Sequence, residues 1–461
     1  MTAPMALDLS KLSVAEHLAA RIAALDARSL PASVRRKCDD LTLDVIGLCV
    51  TARNEDYVKS ALAGWDEEGP CTAIGHDRRM SAAGAAFVNG TAAHGEDFDD
   101  TFEGGPVHAG AVIVPSVLAA CERYHRDGHS ALFGIAVGVE ALCRLSLVAP
   151  QAVHRAGFHP TAVLGAMAAA AGVCAALRLK ASETVNALGI ASSMASGIIE
   201  YLAEGAWTKR LHAGWAAQSG LRAALLGRAG FVGPRTVFEG AHGLFHGFAR
   251  TADGDYGALV GDFGERWVLE TLAFKPYPCG TMTHPYIDCA RRLAARALQA
   301  DDIKEIVCEV AEGTVHRLWE PIADKRRPPN GYAAKFSTPY CIAAGFVRGS
   351  VGLDAFTDEA VKDPRTLALA AKVRYEIDPD NPYPNSFTGH VRALLRNGQM
   401  IEERQPHLRG GRSEPLTRQD IEEKCVRNAR HGGWAAERID AALKLTRALY
   451  DGPVDLSVLQ G

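Results

Sequence analysis

Residues 161–179 read Thr-Ala-Val-Leu-Gly-Ala-Met-Ala-Ala-Ala-Ala-Gly-Val-Cys-Ala-Ala-Leu-Arg-Leu, almost entirely small and apolar. As a helix this run has no polar face to offer to water, so it must be enclosed on all sides, with neighbours close to its backbone. Pro160, just ahead, suits the first turn of that helix. Working outward, Ser13-Val14-Ala15-Glu16 is a capping box, followed by Leu18, Ile22 and Leu25 at helical spacing. Residues 34–52 place Leu41, Val45, Ile46 and Cys49 on one helical face, and further helices are expected at 182–202 and 212–229. Together they predict an all-α body of roughly 265 residues.

The texture changes after about Phe274. Ile306, Cys308 and Val310 alternate, as do Val373, Tyr375 and Ile377. Val391, Ala393 and Leu395 alternate up to Asn397-Gly398, a two-residue hairpin signal. The end is helical again, with a cap at Thr417-Arg418-Gln419-Asp420 and an amphipathic face of Ile439, Leu443, Thr446 and Leu449. The expected fold class is mainly α. An all-helical domain of residues 1–268 is rejoined by 406–461, and a smaller α+β domain covers 269–405.

The 461 residues are 48% hydrophobic with a net charge of −4, which describes a globular chain without the basic stripe of a nucleic-acid binder. The eleven cysteines are scattered with no CxxC pair. That pattern suits buried free thiols in a reducing compartment and argues against zinc or iron–sulfur sites. Residues 1–10 lack a basic segment and a long apolar run, and no charge-free stretch of about 20 apolar residues occurs. No signal peptide and no membrane span are expected, and the cytoplasm is the expected location.

The chemistry concentrates in His94-Gly95-Glu96-Asp97-Phe98-Asp99-Asp100-Thr101, followed by His108. Grouped carboxylates disturb one another's proton affinity, the setting of acid–base chemistry or of metal binding. A helix N-terminus would account for one or two of these carboxylates but not for all. Asp99-Asp100-Thr101-Phe102-Glu103 also fits DDxxE, the magnesium motif of terpene synthases, and Asp97-Phe98-Asp99-Asp100 fits DxDD. The 7% aromatic content is low for a pocket that stabilises carbocations. Other candidate segments are Gly157-Phe158-His159-Pro160-Thr161, Thr208-Lys209-Arg210-Leu211-His212-Ala213-Gly214, Phe274-Lys275-Pro276-Tyr277-Pro278 and Lys335-Phe336-Ser337-Thr338-Pro339-Tyr340. His159 would sit at the positive end of the buried helix, where a histidine's pKa falls, or would simply cap it. The two prolines around Tyr277 restrict the direction of Lys275.

In this order the segments resemble the MmgE/PrpD family, which includes 2-methylcitrate dehydratases, cis-aconitate decarboxylases and iminodisuccinate epimerase. The resemblance implies a large helical domain with a smaller α+β lid, a homodimer, no cofactor and no metal. It also implies a small polycarboxylate substrate bound by Thr101, Lys209, His212 and Lys275. The catalytic groups it implies are Asp97, His108, His159 and Tyr340, with Asp97 orienting a histidine or touching substrate. The implied reaction moves a proton at a carbon next to a carboxylate, as a hydro-lyase or, alternatively, an epimerase or decarboxylase. Some decarboxylating members carry a histidine five residues after the motif lysine. Here Gly280 stands there, and the nearest histidine is His284. The other classes to be separated are the magnesium-dependent terpene synthase and a catalytically silent helical scaffold.

Overall fold

From Pro160 to Ala176 every residue of the alanine-rich run is buried, as its lack of a polar face requires. The computed structural model describes residues 12–105, 107–204, 206–251 and 253–461, so residues 1–10 and Pro106 lie outside the described residues. The chain divides into Met1–Leu272 with Thr417–Gly461, and Ala273–Leu416.

The larger unit is built on α1 (Val14–Ala24), α2 (Ala32–Ala52), α3 (Ala82–Gly95), α4 (Gly110–Arg123), α5 (Gly128–Val148), α6 (Pro160–Leu177), α7 (Ala181–Met194) and α8 (Thr208–Arg228). The expected capping box closes α1: the Ser13 hydroxyl accepts the Glu16 amide, and Glu16 accepts the Ser13 amide. Small residues set how near the helices come. A Cβ placed on Gly134 of α5 would stand 2.6 Å from the Ala176 Cβ of α6, and one on Gly90 of α3 would stand 2.7 Å from the Gly214 Cα of α8. Backbones therefore touch where these helices cross, and the side chains beyond the crossings are held at fixed spacings.

Two expectations are corrected here. The body is not purely helical, because Glu68–Thr72 (β1) and Arg79–Met80 (β2) form an antiparallel pair. Gly69 and Pro70 break the alternation that would have announced a strand. The buried Asn89 amide serves the adjoining backbone, donating to Thr72 O and accepting from the Ile74 amide. The helix expected over 182–202 ends at Met194. Gly197 then adopts φ +117°, and its carbonyl accepts the His159 amide at 2.8 Å. The chain leaves the helix there, and Tyr201 comes to lie edge-on against His159 and His212.

Helices α5 and α6 are long and apolar enough to cross a membrane. Both are instead almost wholly enclosed by the protein. In α5, Glu140 and Arg144 pair at 2.5 Å, and Glu140 also accepts the Val268 and Leu269 amides.

In the smaller unit, β3 (Ile303–Val310), β4 (Val373–Ile377), β5 (Gly389–Leu395) and β6 (Met400–Gln405) form one sheet of order β4-β3-β5-β6. The β3–β4 pair is parallel and the others are antiparallel. The expected turn joins β5 to β6, with Gly398 at φ +87°. Ile306, Cys308 and Val310 point to the core with Val373, Val391 and Ala393, against α9 (His284–Ala294) and α10 (Thr338–Arg348). The unit ends at Leu416 rather than near 405. The segment after β6 stays attached because the Gln405 side-chain amide bonds His407 O and the Glu414 carboxylate, while the Phe274 amide donates to Gly410 O.

The chain returns to the larger unit with α11 (Arg418–His431), started by a Thr417–Asp420 capping box, and α12 (Ala436–Ala448). All eleven cysteines are free and buried, as expected.

Candidate active site

Helix α3 ends in the acidic segment, and the structure gives each of its carboxylates a different answer. Glu96 accepts the Tyr57 hydroxyl at 3.1 Å. Asp97, held at φ +54°, is paired with the Lys209 ammonium. Asp99 accepts from His94, Nδ1 to Oδ2 2.6 Å. Asp100 accepts the amides of Ala109 (2.9 Å) and Gly110 (2.8 Å) at the start of α4. The helix-terminus reading thus explains one carboxylate of the four. With both Asp100 oxygens on backbone amides, Asp99-Asp100 is not arranged as a DDxxE magnesium clamp.

A buried lysine from the far end of the chain fixes the turn. Lys424 of α11 pairs with Asp44 of α2 at 2.8 Å, donates to Phe98 O at 2.7 Å, and lies 4.1 Å from the Phe98 ring centroid. Phe98 stands between Asp97 and Asp99, so this clamp holds the backbone that aims both carboxylates.

Four imidazoles gather beside them. The His94 ring centroid lies 5.0 Å from that of His108 and 5.6 Å from that of His159, and His159 lies 5.3 Å from His212. His108 Nδ1 is 2.6 Å from Asp100 O. A carbonyl only accepts, so this nitrogen carries the proton and Nε2 faces elsewhere. The Thr161 hydroxyl at the start of α6 accepts the His108 amide at 3.2 Å. His159 does not cap α6 with its side chain; its Nδ1 meets His212 Nδ1 at 3.2 Å, and the two share one proton.

Burial, followed by the neighbouring His94, His212, Lys209 and His108, holds His159 well below the usual histidine range. Burial, then His94 and Lys209, lowers His212 to about 4. Burial and the Asp99 charge push Asp100 up to about 7, against the pull of its two amides. Below pH 6.5 the unfolded chain therefore binds more protons at these histidines than the folded one. Stability falls as pH drops from 6.5 toward 4, by at most about 1.4 kcal/mol per pH unit for each group. Asp100 works the other way: folded, it keeps a proton that the unfolded carboxyl has lost, and that contribution fades as pH rises through about 7. His212→Asn is expected to lose less stability than the wild type between pH 7 and pH 5, as measured by urea midpoints. Equal losses would contradict the burial of a neutral His212.

Of the residues proposed from sequence, Asp97, His108, His159, Lys209 and His212 come together in the larger unit. Thr101 is buried at the end of the same loop. Asp99 accepts from His94, whereas Asp97 pairs with Lys209. His94 and Tyr201 were given no role from the sequence, and Asp99 none besides the DDxxE and DxDD patterns. His94 and Asp99 stand within the quoted segment, but nothing in a linear pattern marks a five-residue separation across a helix end as a contact. Tyr201 carried no signal.

In the smaller unit, Lys275 is buried. The Tyr340 hydroxyl donates to Ala355 O at 2.6 Å, a bond that must break before Tyr340 can protonate a substrate. His284 Nε2 donates to Cys279 O at 3.2 Å.

His94, Asp99 and His108 offer ligand atoms within 4.8 Å of one another, a spacing that a cation could bridge. The ring nitrogens nearest Asp99 are already engaged, His94 Nδ1 with Asp99 and His108 Nδ1 with Asp100 O. The ammonium of Lys209 adds positive charge beside the same loop. This donor set suits an anionic ligand better than a cation.

Residues 16–256 match the MmgE/PrpD N-terminal domain, and residues 277–447 match the MmgE/PrpD C-terminal domain. The chain is 31% identical over 392 residues to a human cis-aconitate decarboxylase, covering 81% of this chain and 78% of that one. It is 27% identical to a cis-aconitate decarboxylase-like protein of Aspergillus oryzae, covering 89% of each. It is 26% identical to a cis-aconitate decarboxylase of Aspergillus terreus, covering 84% of this chain and 83% of that one. Two domain matches that together span most of the sequence, over a cluster of imidazoles, carboxylates and an ammonium, leave one conclusion: the chain belongs to the MmgE/PrpD family of enzymes.

Proposed function

We propose that this enzyme is a cofactor-independent lyase acting on a small di- or tricarboxylate. It removes a proton from a carbon beside a carboxylate and expels a β-hydroxyl. The observation that carries this proposal is the cluster of His94, His108, His159, His212 and Lys209 in one buried region, answered by Asp97 and Asp99. Such a group binds carboxylates and stabilises the negative charge that collects on their oxygens in a carbanion-like transition state.

His159 is the proposed base. Burial, with Lys209 and the other imidazoles beside it, keeps it neutral, and in this proposal the proton shared with His212 sits on His159 Nδ1, which leaves the lone pair on Nε2. His108, with Asp99 Oδ1 3.7 Å from its Nδ1, is the proposed acid. The C–H electron pair moves onto the carboxylate and returns as the C–C double bond when the C–O bond breaks. His108 protonates the departing oxygen, which leaves as water, and solvent exchange resets both rings. Lys209, shared with Asp97, would hold a substrate carboxylate.

Decarboxylation is the second reading, because the relatives compared are named as decarboxylases. Gly280, where some decarboxylating members carry a histidine, weighs against decarboxylation. The two outcomes part in the product: a dehydratase gives an unsaturated acid with all its carbons, and a decarboxylase releases carbon dioxide.

A thermal-shift series with citrate, methylcitrate, cis-aconitate, malate and itaconate tests the substrate class. A true ligand at 100 times its dissociation constant is expected to add about 2.7 kcal/mol of stability, and activity toward it to survive EDTA. A silent scaffold would show no shift with any of the acids. Loss of activity in EDTA, restored by magnesium, would end the cofactor-independent proposal. The active form is proposed to be a homodimer. Trp207, which caps the start of α8, and Leu211 and Trp215 on that helix leave an exposed apolar stripe at helical spacing, which supports association.

A further inference from the structure

Asp99 stands between two imidazoles. Its Oδ2 is 2.6 Å from His94 Nδ1, and its Oδ1 is 3.7 Å from His108 Nδ1. Neither Asp99 nor His94 has any solvent exposure. With Nδ1 committed to the carboxylate, His94 presents Nε2, and this buried atom has no hydrogen-bond partner among the described residues. A buried ring nitrogen left without a partner costs free energy, roughly 1–3 kcal/mol, so its retention calls for a reason beyond packing. The nearest ring systems are the acid–base histidines themselves: His108 at 5.0 Å, and His159 at 5.6 Å with the planes only 24° apart.

We propose that His94 and Asp99 form a positioning dyad that sets the protonation states of His108 and His159, with Asp99 favouring the imidazolium of His108 and His94 disfavouring that of His159. The proposal rests on the acid–base roles given above. The dyad touches no substrate. It acts because Asp99 is a fixed negative charge within reach of His108, while His94 is a buried imidazole stacked on His159. Only protons shift, so no co-reactant is needed.

Other charged groups surround the pair. Asp97 and Asp100 share its loop, and Lys209 and His212 approach from α8. Tyr201 lies against His159, and Asp44 of α2 with Lys424 of α11 stands behind Phe98. Substitutions at His94 and Asp99 leave all of these in place, so any change read at His108 or His159 comes from the dyad.

The test uses the full-length enzyme with 13C-labelled histidine, and it compares the wild type with Asp99→Asn and His94→Asn. Asparagine at 94 keeps a donor for Asp99 and removes Nε2. In Asp99→Asn the His108 resonance is expected to titrate about one pH unit lower, the size of a single opposite charge at close range. In His94→Asn the His159 resonance is expected to titrate higher than in the wild type. In the kcat/KM profiles the alkaline limb, set by the acid His108, is expected to move to lower pH in Asp99→Asn, the acid limb, set by the base His159, to move to higher pH in His94→Asn, and kcat in Asp99→Asn to fall about 100-fold. If Asp99→Asn does not fold, His94→Asn alone carries the test. Unchanged titrations of both histidines in a folded variant overturn the proposal. If the titrations shift but no carboxylate is turned over, the dyad stands and the lyase proposal fails.

Discussion

His108→Ala and His159→Ala are each expected to lower kcat by about 100- to 10,000-fold, the usual contribution of a positioned acid or base. The two variants should differ in how they fail. His159 is the proposed base, held neutral by burial and by the Lys209 and imidazole neighbours, so its loss should abolish exchange of the substrate α-proton with deuterated solvent. His108 is the proposed acid, so its loss should leave exchange measurable while the proposed elimination stops. Both variants keep the backbone contacts of the site, because the His159 amide still reaches Gly197 O and the position-108 amide still reaches Thr161. Their far-ultraviolet circular dichroism should match the wild type. Near-normal turnover in both would remove the acid–base pair.

Lys209→Met is expected to be costly twice. Lys209 and Asp97 are both buried and paired, and removing one partner from a buried pair typically costs about 3–5 kcal/mol because the other charge is stranded. The same change removes the proposed charge-assisted contact to a substrate carboxylate, worth about 1.5–3 kcal/mol, and so should raise KM roughly 10- to 150-fold. The double variant Lys209→Met with Asp97→Leu separates the two effects. It should recover much of the stability, since no charge is left alone, and none of the activity. Recovery of activity in the double variant would show that Lys209 serves only the fold.

Much of this was legible in the sequence because the signals were local. The run at 161–179 has no polar side to give to water, so its burial followed from composition alone. Capping boxes at Ser13 and Thr417 and the Asn397-Gly398 turn are each short motifs with one preferred geometry, and each took that geometry. The end of α7 was not legible. The helix stops because Gly197 turns to meet His159, a contact between segments about forty residues apart in the chain. The roles within the acidic segment were hidden for the same reason. Asp97 and Asp99 are two residues apart and chemically identical, and their partners come from α8 and from the end of α3.

By itself the sequence determined the helical body, the α+β segment and the family, since hydrophobic period and ordered motifs are properties of neighbours along the chain. The tertiary structure alone decided which carboxylate faces the ammonium and which the imidazole. It also decided that Lys424 clamps Phe98 between them, and that His94 is a member of the site. Those assignments depend on distances of a few ångström between residues far apart in sequence, and only close packing of helix against helix, through glycines such as Gly90 and Gly214, sets those distances.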